Sequence, residues 1–235
     1  MKKSHIATLI VFLVLIPLTL ILGSRLSGRA FYVTSTLVIV ELLIPFFLAF
    51  EGRRPQAREL VVLAVMCALA VAGRVAIPIP SFKAIFGIIM IAGIAFGPES
   101  GFLVGAISAL ASNFFYSQGP YTPWQMMAYG AGGMLAGFVF ARGRLPRKPV
   151  IMGIFGFLAV TFFVGPLLDT CSVFLVMSRI TLKGAMAFYI SGFPVNLRQA
   201  VATAIVLLAL GNPLLEKLDR IKTKYGILDD GGKEA

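Results

Sequence analysis

"ELVVLAVMCALAVAGRVAIPI", residues 59–79, runs for twenty-one residues with only two charges, Glu59 and Arg74. A helix needs about 20 such residues to cross the hydrocarbon core of a bilayer. The stretch therefore reads as a membrane span. Inside it, small residues recur at every fourth position: Ala64, Ala68, Ala72 and Ala76. On a helix this spacing gives one slowly drifting stripe, and small side chains let a second helix approach closely, where van der Waals contact drives association in lipid. The second helix can belong to the same chain or to a partner.

The rest of the chain repeats the pattern. Of 235 residues, 58% are hydrophobic and only 13% charged, against about a quarter charged in soluble domains. Eight candidate spans follow: about 6–22, 31–50, 59–79, 84–97, 101–117, 124–141, 150–177 and 185–210. The fourth and fifth are short, and "FGPESG" (96–101) joins them tightly, so they can form a re-entrant pair. "MKK" before an apolar run also fits a signal peptide. The run of 17 residues and the poor cleavage site in "ILGSRLSG" favour a retained first span. Cys67 and Cys171 lie inside apolar runs without paired spacing and read as packed small hydrophobes.

The net charge of +11 resembles a nucleic-acid footprint, but the basic residues sit in short clusters between apolar runs. In a membrane protein such clusters report topology. With the N-terminus inside, thirteen basic residues face the cytoplasm: Lys2, Lys3, Arg53, Arg54, Arg58, Arg142, Arg144, Arg147, Lys148, Lys217, Arg220, Lys222 and Lys224. Five face outward: Arg25, Arg29, Lys83, Arg179 and Lys183. Both termini are thus expected inside, and nucleic acid is not an expected partner.

This orientation turns "SQGPYTPWQMMAYG" (117–130) outward. Asn113 and Tyr116 precede it, and Gln118, Tyr121, Trp124 and Gln125 lie within it. Phe82 and Lys83 occupy another outward loop. Trp and Tyr alone make an ordinary interfacial belt. The amides Asn113, Gln118 and Gln125 do not belong to such a belt, and the glycine and prolines of "QGPYTP" impose a defined turn. Aromatic walls with a few convergent polar groups suit a small ligand.

Four ionisable residues fall within apolar runs: Glu41, Arg74, Asp169 and Arg198. A charge at membrane depth faces a partner or a wet cavity. A pair between Asp169 and Arg74 or Arg198 is expected, either as a structural ion pair or as ligand contacts. The single histidine, His5, sits at the very N-terminus, which excludes a histidine-based intramembrane hydrolase. No metal cluster and no phosphate-binding "GxxxxGK" loop followed by Ser or Thr occurs. Neither catalysis, nor a cofactor, nor self-powered transport is expected.

The chain resembles the substrate-specific S component of energy-coupling factor (ECF) transporters, bacterial vitamin-uptake systems of the ABC class. The resemblance rests on "ELVVLAVMCALAVAGR" (59–74), "IAFGPESGFLVGAISALASNFF" (94–115), "QGPYTPWQMMAYGAGGMLAG" (118–137), "YISGFPVNLRQA" (189–200) and the closing "LEKLDRIKTKYG" (215–226). It implies an all-α integral membrane protein of the bacterial cell membrane. Residues 1–58 would be an extension of two extra N-terminal helices, 59–212 a six-helix core, and 213–235 a basic cytoplasmic tail lying on anionic lipid. It further implies that one vitamin is bound on the outward side. The subunit would dock through Ala64, Ala68 and Ala72 onto a transmembrane coupling protein carrying two ATPases, then topple to release the vitamin inward. The loop from Gly119 to Trp124 would help cover the pocket. An aromatic pocket with amides suits a flat heterocycle, and the chain is similar in general character to members assigned to cobalamin or its precursors. An unpowered channel or facilitator, or a non-transport membrane scaffold, remains the alternative.

Overall fold

The computed structural model describes residues 10–24, 30–52, 56–141, 143–177 and 179–227. Of the residues used above for orientation and class, Lys2, Lys3, His5, Arg25, Arg29, Arg53, Arg54 and Arg142 lie outside these. The helices follow in order. A π-helical turn Val11–Leu15 leads into Ile16–Ser24 (together α1), followed by Ala30–Gly52 (α2), Ala57–Val75 (α3), Ile85–Phe96 (α4) and Pro98–Tyr116 (α5). Thr122–Ala136 closes in the π-helical turn Gly137–Ala141 (α6). Pro149–Val176 (α7) carries a π-helical turn at Val160–Val164, and Leu182–Tyr225 (α8) ends the fold. No strand occurs among the described residues.

Local chemistry sets the ends. Proline occupies the first turn of α5, α6 and α7, where its missing N–H has no intrahelical partner to lose. Thr181 caps α8 by accepting a hydrogen bond from the Gly184 N–H at 3.2 Å. Gly226 ends α8 in the left-handed conformation, φ 60°. Pro149–Val176 and Leu182–Tyr225 are long and apolar enough to cross a membrane.

The centre of the bundle is α4. All twelve of its residues are buried, as expected of a helix that is apolar all round. At 1.5 Å per residue it spans about 18 Å, well short of the roughly 30 Å hydrocarbon core. The loop before it, residues 76–84, is exposed at 78–80 and becomes buried at Ala84, where α4 begins. Helices α3, α5, α6 and α8 surround it.

Glycines bring α4, α5 and α6 almost into backbone contact. A Cβ at Gly93 would stand 2.1 Å from the Gly133 carbonyl oxygen, and one at Gly101 would stand 2.5 Å from the same atom. Gly93 and Gly101, four residues to either side of Gly97, thus serve close packing within the chain around the turn at Gly97–Pro98.

Three connections lie at one end of the bundle, the upper end: residues 76–84, 117–121 and, before α8, 179–181. The lower end holds the α4–α5 turn, residues 143–148 and the end of α8. There Arg147 donates to the Ile94 carbonyl at 3.2 Å and Lys222 to the Ala95 carbonyl at 2.8 Å. Cations at the carbonyl end of α4 complement its dipole. Asp219 joins both, 3.3 Å from Arg147 and 2.5 Å from Lys222. The segment beyond residue 212 continues α8 without a break, and Leu215 and Leu218 are buried against the core. Helix α2 packs along α5, α6 and α7.

Candidate functional site

The upper end contains one continuous polar centre, with Asn113 at its hub. Asn113 is fully buried near the end of α5. Its Oδ1 accepts a hydrogen bond from Arg74 Nη1 at 2.9 Å. Its Nδ2 donates to Gln125 Oε1 at 2.8 Å and to Thr122 Oγ1 at 3.1 Å. Buried Ser112 accepts from the same Arg74 nitrogen. The last turn of α3, the end of α5 and the start of α6 are thereby tied through one amide.

Aromatic rings enclose the Arg74 guanidinium. It lies 4.9 Å from the Tyr116 ring centroid and 5.6 Å from that of Tyr129, within cation–π range. The Tyr116 hydroxyl donates to the Arg74 carbonyl at 3.0 Å. Tyr129 is buried and meets Phe86 of α4 edge-on at 4.5 Å. Lys83 Nζ lies 5.9 Å from the Tyr116 ring and donates to the Ile77 carbonyl. The Lys83 backbone exchanges two hydrogen bonds with Gln199, 3.2 Å from Lys83 N to Oε1 and 2.7 Å from Nε2 to Lys83 O. This pins loop 76–84 onto α8. Half-buried Phe82 closes a turn in the same loop through its amide and the Ile79 carbonyl, 3.3 Å.

The loop between α5 and α6 is knit to itself. Gln118 donates to the Leu110 carbonyl and accepts from Thr122, both at 2.9 Å. The Tyr121 hydroxyl donates to the Ser117 carbonyl at 2.7 Å. Ser117 holds φ 82°, a left-handed value uncommon for a residue with a Cβ.

Trp124 turns elsewhere. It is buried under α2 with Ile39 and Cys171 and stacks on Phe174 at 5.6 Å. Its indole N–H has no partner among the described residues. The adjacent Gln125 faces Asn113, so the two residues serve different surfaces of α6.

Among the charges, the expected pair of Asp169 with Arg74 or Arg198 is not formed. Asp169 instead accepts from Asn196 Nδ2 at 2.7 Å and lies against Gly192, where any side chain would collide with the carboxylate. Arg74 meets only neutral groups, through Nη1, and the rings of Tyr116 and Tyr129. Exposed Arg198 donates to the Pro194 carbonyl one turn back, 3.3 Å. Asn196, Gln199, Ser112 and Thr122 were not among the expected site residues. The polar pair Asn196 and Gln199, three apart in an apolar helix, marks one helix face and was the available signal.

On α3, Ala64, Ala68 and Ala72 are exposed. Ala68, Val71, Ala72 and Val75 line an apolar groove with Ala111 and Phe115 of α5.

The described residues thus form an all-helical bundle, two of its helices long and apolar enough to cross a membrane, with a polar centre at one end and an open small-residue groove on its side. A family model, ECF-type riboflavin transporter, S component, matches residues 55–216. The chain belongs to this family, whose members are substrate-binding membrane subunits of transporters. Comparison with curated proteins and with solved structures gives no significant match.

Proposed function

We propose that the chain captures riboflavin, or a closely similar flat heterocycle, at its upper end and delivers it inward by docking on an ATPase-driven coupling module. The family match over residues 55–216 carries this reading. The chemistry of the polar centre agrees with it. Only Nη1 of Arg74 is engaged by Ser112 and Asn113. Its Nε and Nη2 donors, and the side-chain N–H groups of Gln125, have no protein partner among the described residues. Donors beside the Tyr116 ring fit a planar ligand edged with carbonyl and ring-nitrogen acceptors, as an isoalloxazine is. The family description names riboflavin; nothing supports cobalamin over it.

Titration of the purified full chain with riboflavin, followed by quenching of flavin fluorescence, tests the substrate. Saturable one-to-one quenching is expected. Asn113→Ala removes one of the two acceptors of Arg74 Nη1 and the donor that holds Thr122 and Gln125; it should weaken binding per folded molecule at least tenfold, since about 1.4 kcal/mol is one decade and an unpaired buried group costs about 1–3 kcal/mol. No quenching by the parent chain would remove riboflavin as substrate.

The upper end is taken to face outward and both termini inward, from the basic-residue distribution. With Ser117→Cys, an impermeant thiol reagent should label intact cells; with Arg144→Cys it should label only after lysis. The reverse pattern would turn the proposed site toward the cytoplasm.

A further inference from the structure

The family match begins at residue 55, so α1 and α2 lie outside it. Helix α2 nevertheless reaches the loop over the polar centre. Ile39 is buried with Trp124, and Leu42 packs against the same cluster together with Tyr121 and Phe174. Thr36 Oγ1 lies 3.4 Å from the Pro120 carbonyl oxygen. The start of α6 is therefore held on two sides: Asn113 grips Thr122 and Gln125, and α2 grips Trp124 from behind. Lower down, Phe46 of α2 stacks on Phe102 of α5 at 4.2 Å, giving α2 a second footing on the core. The α3 stripe stays uncovered, with Ala64, Ala68 and Ala72 exposed.

We propose that α2 is a strut that fixes the 117–121 loop over the ligand site, with Ile39 and Leu42 as positioning residues, and that it is not a second handle for the coupling module. The loop needs such support. Ser117 sits at φ 82°, a conformation that persists only where the surroundings over-determine it. Loops of low local stability open without global unfolding, and loss of the Ile39–Trp124 contact should raise that opening.

The test uses the full chain in lipid nanodiscs. Amide hydrogen exchange at Gly119 and Thr122, whose N–H groups are hydrogen-bonded within the loop at 3.2 and 2.9 Å, reports its opening. Ile39→Ala, which removes a well-packed buried side chain, should speed exchange roughly tenfold. Ile39→Val, which keeps most of the contact, should stay within about twofold. Val40→Ala, at a position 42% exposed on α2, should match the parent. Riboflavin should dissociate from Ile39→Ala faster by a similar factor; this arm alone rests on the substrate reading above. If the parent fails to bind riboflavin, that reading falls and exchange alone decides the strut. Equal exchange in Ile39→Ala and the parent overturns the proposal. So does equal acceleration by Val40→Ala, or loss of coupling-module capture by Ile39→Ala with exchange unchanged.

Discussion

Gly133→Val is expected to leave almost no folded protein. A Cβ there would stand 2.3 Å from the Gly101 carbonyl oxygen and 2.8 Å from Cγ2 of Ile89. The first neighbour is backbone, which no rotamer change relieves. Overpacking a core ordinarily costs about 1–3 kcal/mol, and a clash between main chains lies at or above that range. Total stability is only about 5–15 kcal/mol. Helices α5 and α6 would have to separate, and α4 would lose its cover. The monodisperse fraction after detergent extraction and the thermal midpoint measure the loss. Gly52→Ala is the control, because nothing lies within 4 Å of a Cβ there. A thermal midpoint for Gly133→Val within a degree or two of the parent would show that the three helices do not meet in this way.

Ala68→Trp should reduce uptake to background while ligand binding by the isolated subunit survives. Ala68 is exposed and lines the groove between α3 and α5. The added ring has room to project outward, so the fold should tolerate it. A small stripe supplies only close approach, and a bulky ring removes it. Co-purification with the ATPase subunits should fail in parallel. If Ala68→Trp leaves capture and uptake intact, the groove is not where the coupling module seats.

The positions of the apolar helices were legible because span length and hydropathy are local properties. The tight "FGPESG" join between the fourth and fifth spans was legible as well, and glycines beside it, Gly93 and Gly101, meet Gly133 of α6. Contacts between remote elements were less legible. Nothing in the sequence around Asp169 points to Asn196, 27 residues away, and opposite charge suggested an arginine instead. Trp124 and Gln125 are neighbours in sequence, and only the helix geometry sends one to α2 and the other to Asn113. Leu215, Leu218 and Ile221 have a spacing equally suited to a lipid surface and to a protein core. The choice depends on what Arg147 and Lys222 find at the end of α4, which no local pattern records.

The burial of α4 divides how the protein should respond to its bilayer. Helices α7 and α8, at 28 and 44 residues, have apolar faces open to acyl chains, so hydrophobic mismatch acts on them through tilt. All twelve residues of α4 are covered by protein. Its environment is fixed by neighbouring side chains and not by lipid thickness. Shortening or lengthening the acyl chains should therefore tilt the outer helices while α4 keeps its depth relative to Arg74 and Lys83. The polar centre at its upper end would then keep its geometry across membranes of different thickness.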